Sequence, residues 1–205
     1  MRVARDDVHL FFACGLSIPT RTIYVGEVAE GPRSESGDTP GVDFKLADHV
    51  VKGFHILEAR SKEEEIHVLL NNPGGDSYQA LAIYDVIRMC PCHVNVRVLG
   101  HAMSAASWIL QAGDTREITP SATLMMHYGD FGFFGHSLDM TRWSKELERI
   151  NSLMEDHYLD RIREKHPKFT RERLHQMIQF DKLVPAQEAL QLGLVDKVFE
   201  YPDRT

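Results

Sequence analysis

Cysteine is scarce and odd in number: Cys14, Cys90 and Cys92 are the only three in 205 residues. Three unpatterned thiols make no disulfide framework, so the chain suits a reducing compartment, with the cytoplasm as the expected location. Positive charge is also short, with 23 Lys and Arg against 30 Asp and Glu and a formal net charge of −7. That balance leaves no basic footprint for gripping a phosphate backbone and argues against a nucleic-acid partner. No apolar run approaches the roughly 18 to 20 residues that cross a bilayer, so no membrane partner is expected. Repeats of solenoid period and low-complexity tracts are missing as well. Arg2 and Arg5 followed by apolar residues 8–16 imitate a secretory leader, yet Asp6 and Asp7 fall where its basic part should pass into the apolar one. A cleaved leader is therefore not expected.

What is present describes one globular domain over residues 1–205, with 43% hydrophobic and 26% charged residues. Short β-rich runs alternate with amphipathic stretches, which predicts the α/β class. Residues 22–25 form the first strand-like run, and Gly31, Pro32, Gly37, Pro40 and Gly41 mark residues 30–41 as a surface loop. Helical spacing over residues 42–59 predicts a helix. Residues 66–70 predict a buried strand that stops at Asn71-Asn72-Pro73-Gly74-Gly75, and residues 78–89 return to a helical period. The same unit follows at once: Val94, Val96 and Val98 alternate along a strand, residues 100–107 form a turn of small residues, and Trp108 continues a helix. Both glycine-bearing turns are expected at one edge of a sheet. Ile118 and residues 122–126 supply further strand material ending at His127. A helix capped by Ser137 or Asp139 is predicted to run to about Lys165 and to project, with short helices at residues 171–178 and 185–192 and a final strand at 195–199.

Ser104 sits at the second strand-to-helix turn, where backbone N–H groups and the helix dipole favour negative charge. Such a hydroxyl suits a nucleophile whose oxyanion is held by the surrounding donors, and Gly74-Gly75 offers a second set. Turn and cap roles are nevertheless the commoner uses of these residues, and the local pattern leaves both readings open. A serine nucleophile also needs a base and an orienting carboxylate, and 11 histidines among many aspartates defeat any choice by spacing. Cys90-Pro91-Cys92 beside His93 has no second ligand pair, so no metal is expected there, and no other cofactor is implied. Glu63 to Glu65 read as a solvated turn.

Four ordered blocks carry a resemblance. They are Asn72-Pro73-Gly74-Gly75 with Ile83-Tyr84-Asp85, Gly100-His101-Ala102-Met103-Ser104-Ala105-Ala106, Leu124-Met125-Met126-His127, and Asp181 ahead of residues 186–196. In order and spacing, from about residue 22 to 198, the chain resembles the proteolytic subunit of the Clp protease. The resemblance implies a ββα superhelix shared with crotonases, and a serine endopeptidase with Ser104 as nucleophile, His127 as base and Asp181 as orienting acid. It further implies an oxyanion hole from the N–H groups of Gly75 and Ala105, with Gly74, Gly129 and Phe131 along the peptide channel. Residues 128–166 correspond to a projecting strand-helix handle, and residues 1–20 to an axial segment, although an edge strand explains residues 8–16 nearly as well. A homo-oligomer of two stacked seven-membered rings, fed by an AAA+ unfoldase, is the implied assembly.

This sequence departs from the family pattern in several places. Tyr128 and Gly129 follow His127 in place of Gln-Pro, Gln179 and Phe180 replace an Asp-Arg pair, Ala105 and Ala106 replace Met-Gly, and the loop at 30–41 is longer. Such drift suits a divergent branch, with a phage-type capsid maturation protease as an alternative. A crotonase-fold acyl-CoA enzyme and a catalytically silent ring subunit are the rival readings.

Overall fold

The structure, a computed structural model of the chain, describes residues 5–26, 41–129 and 135–202. It opens with helix α1 (Arg5–Cys14), followed by strands β1 (Leu16–Ser17) and β2 (Thr22–Val25). Helix α2 (Phe44–Arg60) leads into β3 (Ile66–Asn72), α3 (Ser77–Met89), β4 (Val94–Met103) and α4 (Ala105–Gln111). Strands β5 (Thr115–Ile118) and β6 (Thr123–Met126) precede the long helix α5 (Ser137–Lys165). Helix α6 (Arg171–Ile178), strand β7 (Lys182–Pro185), helix α7 (Ala186–Leu192) and strand β8 (Lys197–Val198) complete the described chain. The α/β class is as the alternating pattern predicts.

The main sheet has the order β1-β2-β3-β4-β5-β8, and β4 also carries a branch through β6 to β7. Pairing is parallel from β2 through β5 to β8, while β1–β2 and β6–β7 are antiparallel. Strand β4 divides its length between two partners: Asn95 to Val98 pair with β5, and His101 to Met103 pair with β6. The far end of β4 thus keeps β3 on one side, through Asn72 and Ala102, while β6 replaces β5 on the other.

Alternation along β3 buries Ile66, Val68, Leu70 and Asn72 and leaves the intervening side chains half-exposed, the period-2 signature of a half-buried strand. Helix α2 returns that face with Leu46, Val50, Phe54 and Leu57, and α3 with Ala80, Ile83 and Ile87. Arg21 fastens the end of α2 to the sheet, its guanidinium donating to the carbonyls of Leu57, Ser61, Glu64 and Glu65. Those carbonyls lie at and just beyond the helix C-terminus, where intrahelical donors run out.

Several boundaries differ from the sequence expectation for identifiable reasons. Residues 8–16 are not an edge strand. Helix α1 takes up most of them, and only Leu16 and Ser17 pair, antiparallel to β2. Helix α2 begins two residues later than the periodicity suggests because Asp43 is its cap, accepting the Leu46 N–H at 2.7 Å. Strand β4 runs on through Met103, past the apparent turn at Gly100, because Ala102 pairs with both Asn72 and Leu124. The cap of α5 is His136 rather than Ser137 or Asp139, its Nδ1 accepting from the Leu138 N–H at 3.3 Å. The final strand is shorter than predicted, and the loop at 30–41 lies outside the described residues up to Gly41.

Helix α5 has two halves. From Ile150 onward it buries Met154, Tyr158, Leu159 and Ile162 in the core, whereas Leu138, Met140 and Trp143 are exposed. Its outer half meets the start of α3, where the Tyr78 hydroxyl donates to Glu146 at 3.0 Å.

Candidate active site

Strand register brings the chemistry together. Asn72 of β3 pairs with Ala102 of β4, so the turns that follow, Pro73-Gly74-Gly75 and Ser104, face one another. Met103 pairs with Met125 of β6, and the Ser104 N–H donates to the Met125 carbonyl at 2.9 Å. Met126 pairs with Lys182 of β7, which sets His127 beside Asp181 across 54 residues of sequence. Four adjacent strand ends thus deliver residues from four distant parts of the chain.

The resulting distances are those of a hydrogen-bonded relay. His127 Nε2 lies 2.8 Å from Ser104 Oγ, and His127 Nδ1 lies 3.2 Å from Asp181 Oδ1. The imidazole is largely shielded, at 20% side-chain exposure, but Asp181 is open to solvent at 71%, so its hold on the ring is screened by water. With the carboxylate against Nδ1, the favoured neutral tautomer carries its proton there and leaves Nε2 to accept from the serine hydroxyl.

Ser104 has φ 51° and ψ −128°, a conformation that non-glycine residues rarely adopt. The strain places its side chain outward between β4 and α4 instead of continuing either element. Its carbonyl is held inward, accepting from the Ser107 N–H at 2.9 Å and the Ser107 hydroxyl at 2.6 Å. Opposite, Gly74 has φ +99° and Gly75 φ +145°. A Cβ on Gly74 would stand 2.7 Å from both the Met103 carbonyl oxygen and the Ser104 Cβ, and one on Gly75 only 2.4 Å from the Val42 carbonyl oxygen. Glycine is required at both positions by close approach as well as by backbone angle. Asn72 sets the turn, its buried Oδ1 accepting the Gly74 N–H at 2.8 Å.

Ala105 is the first residue of α4, ahead of the point where intrahelical partners for N–H groups begin. The N–H groups of Gly75 and Ala105 therefore belong to two facing turns beside one hydroxyl. A serine within hydrogen-bond reach of an imidazole that is itself oriented by a carboxylate can act as a covalent nucleophile. A cavity of about 210 Å³ opens beside Gly75 and is lined by Tyr78, Trp143, Leu147 and Ile150, with Asp76 and Glu146 at its polar side. Arg149 beside Glu146 holds that carboxyl down at about 2, so it is charged at neutral pH.

The sequence model of the Clp protease family matches residues 39–202. The chain belongs to the Clp protease family. Its similarity to the ATP-dependent Clp protease proteolytic subunit of Deinococcus radiodurans is 33% identity over 161 residues, covering 78% of this chain and 76% of the relative. The branched, mixed sheet with its packed helices is consistent with the ββα fold of that family.

Where this Clp-family chain departs from the pattern, the structure shows what occupies the space. Tyr128, directly after His127, donates its hydroxyl to Glu155 and meets His175 Nδ1 at 2.5 Å. Arg171 completes this cluster, bonding Glu155 at 2.5 Å and also Asp156. The segment after the imidazole is thereby tied to α5 and α6 by side chains rather than by a proline. Gly129 is half-buried, with its N–H 3.4 Å from Asn151 Oδ1, and Phe131 lies outside the described residues. Sequence reasoning passed over Ser107, Tyr158, Glu155 and His175. Their importance comes from contacts across 27 to 51 positions, or from a hydroxyl one turn into a helix, and neither leaves a local pattern. Cys92 serves the scaffold, its thiol donating to the Ser61 carbonyl at 3.3 Å.

Proposed function

We propose that the protein is a serine endopeptidase of the Clp type, with Ser104 as nucleophile, His127 as general base and Asp181 as the carboxylate that orients the base. One observation carries this reading: the 2.8 Å contact between Ser104 Oγ and His127 Nε2, continued by the 3.2 Å contact from His127 Nδ1 to Asp181. In the first step His127 removes the hydroxyl proton as Ser104 Oγ attacks the peptide carbonyl carbon. The carbonyl oxygen becomes an oxyanion held by the N–H groups of Gly75 and Ala105. His127 then hands its proton to the leaving amine, and the C–N bond breaks to leave an acyl-enzyme. Water, deprotonated by the same imidazole, releases the acid and restores the serine.

Gly74 and Gly129 line the peptide path in this reading, and the cavity beside Gly75 receives a substrate side chain. Trp143, Leu147 and Ile150 favour an apolar group there, and the charged Glu146 opposes an acidic one. Residues 128–166 act as the handle between rings. The exposed Leu138 and Met140 on its outer half support burial against a second copy. A homo-oligomer of stacked seven-membered rings in the cytoplasm, fed by an AAA+ unfoldase, completes the proposal.

The test is labelling by a fluorophosphonate probe together with hydrolysis of a short fluorogenic peptide. Wild type should label once per chain and cleave. Ser104→Ala should do neither while keeping its fold and its mass in solution. Persistent hydrolysis by pure Ser104→Ala would show that the nucleophile is another residue.

A further inference from the structure

Beneath Ser104 runs a chain of hydroxyls that the reaction as described does not use. Tyr158, on the buried half of α5, has its hydroxyl 2.5 Å from Ser107 Oγ, and Ser107 Oγ donates to the Ser104 carbonyl at 2.6 Å. Both residues are fully buried, at 0% exposure. The Ser107 proton is committed to the Ser104 carbonyl, so the Tyr158 hydroxyl must be the donor to Ser107 Oγ. Burial pushes the Tyr158 phenol well above its ordinary range, and it stays protonated throughout the working pH range.

The peptide that joins Ser104 to Ala105 gives this chain its consequence. A trans peptide is planar, with its C=O and N–H pointing in opposite directions. Two bonds from Ser107 pull the carbonyl of that peptide inward, so the Ala105 N–H is turned outward, toward Gly74 and the serine hydroxyl. The orientation needs such support, because Ser104 holds φ 51° and ψ −128°, from which a relaxing backbone would rotate the peptide away. Gly74 lies against the same peptide, its hypothetical Cβ only 3.1 Å from the Ala105 nitrogen, so the outward side is open only while the plane keeps this tilt.

We infer that Ser107 and Tyr158 are positioning residues, which lock the Ser104–Ala105 peptide so that the Ala105 N–H faces the developing oxyanion. The inference rests on the proposed serine-protease reading. Through Tyr158 it makes the core half of α5 a support for the oxyanion hole, so the helix that carries the handle also braces the catalytic turn.

The experiment compares wild type, Ser104→Ala, Ser107→Ala, Tyr158→Phe and the Ser107→Ala/Tyr158→Phe pair, in samples of matched mass in solution. Readouts are kcat and KM on a fluorogenic peptide, the inhibition constant of a peptide boronic acid, and the thermal midpoint. A boronic acid forms a tetrahedral adduct whose oxygen sits where the oxyanion would. Ser107→Ala should lower kcat by about tenfold to a hundredfold, less than or near the loss on removing one oxyanion donor outright. It should weaken the boronic acid by a similar factor, with KM within about twofold and the pH profile of kcat/KM unmoved, since His127 and Asp181 are untouched. Tyr158→Phe keeps the Ser107 bond and should lose only a few-fold.

The paired variant separates positioning from mere stability. Removing both hydroxyls together strands neither member of the Ser107–Tyr158 bond, so the thermal midpoint of the pair should return toward wild type while kcat stays low. If Ser107→Ala does not fold, the pair carries the same test alone. A kcat that recovers with the midpoint in the pair, or a Ser107→Ala enzyme with wild-type kcat and boronic acid affinity, overturns the inference while leaving Ser104 as nucleophile. A wild type that neither cleaves nor labels, or a Ser104→Ala enzyme that still cleaves, overturns the protease reading and this inference with it.

Discussion

Gly74 and Ser104 approach so closely that a single methyl group would drive their turns apart. With the added Cβ 2.7 Å from the Met103 carbonyl oxygen and from the Ser104 Cβ, one of the two backbones must move. Gly74→Ala is expected to cost about 1–3 kcal/mol of stability, as overpacking does, and to lower kcat by about a hundredfold because Ser104 is displaced from His127. Thermal unfolding and peptide turnover check the two effects separately. Asp181 acts at the opposite end of the relay. Asp181→Asn should preserve the fold, since the side chain is exposed, yet reduce kcat by about a hundredfold or more through loss of the preferred imidazole tautomer. The measurement is kcat at neutral pH, and an Asp181→Asn enzyme with wild-type kcat would show that the carboxylate does not orient His127.

Among the elements, β7 has a role out of proportion to its four residues. Among the described residues it joins the sheet only through β6, and its buried Val184 pairs with Leu124 while Leu183 stays exposed. Asp181 immediately precedes it, so the register of β6 and β7 is what holds the carboxylate to the imidazole. Val184→Ala is expected to cost about 1–2 kcal/mol and to slow fluorophosphonate labelling by more than the unfolded fraction explains. Denaturant titration and labelling rate on one sample test this. Helix α5 contributes differently at its two ends, with an apolar, packed half that supports Ser107 and an exposed half that meets α3 through the bond from Tyr78 to Glu146.

For the molecule as a whole, two charge networks close the sheet at the end away from Ser104. Arg116, with 3% of its side chain exposed, donates to Asp196, Glu164, Gln111 and the Gly193 carbonyl, joining β5, α4, α5 and the turn after α7. Arg116→Ala would leave the buried Gln111 Oε1 and Gly193 carbonyl without this donor, while Asp196 and Glu164 turn to water, and is expected to cost about 1–3 kcal/mol, read by denaturant titration. Its neighbour Glu117 is buried and receives bonds from Lys197, Arg97 and Asn95. Burial alone would raise this carboxyl, but the three donors together outweigh it and hold the group below the usual carboxylate range. A carboxyl lowered on folding adds stability that is complete above its unfolded value of about 4.3 and fades as pH falls through the folded value. Wild type should therefore lose stability in that acid window, and Glu117→Gln, less stable at neutral pH, should show a shallower decline. Denaturant midpoints from neutral pH down to about pH 3 test the sign.

Local order was open to reading from the chain alone. The helices at α3 and α6, the existence of strand β3, the alternation of Val94, Val96 and Val98 in β4, and the two glycine-bearing turns follow from side-chain periods and backbone sterics that act within a few residues. The start of α2 after Asp43, and the continuation of β4 beyond Gly100, escape the apolar count because an N–H three residues on, or a neighbouring strand, outweighs it. The resemblance singled out Ser104, His127 and Asp181, whereas composition and spacing left eleven histidines equivalent. Tertiary structure alone decided that His127 meets Ser104, that Asp181 arrives through β7, and that Tyr158 reaches Ser107 from the other side of the turn. The reason is physical: periodicity sets which face of an element is buried, but only the order and register of pairing set which distant residue stands opposite.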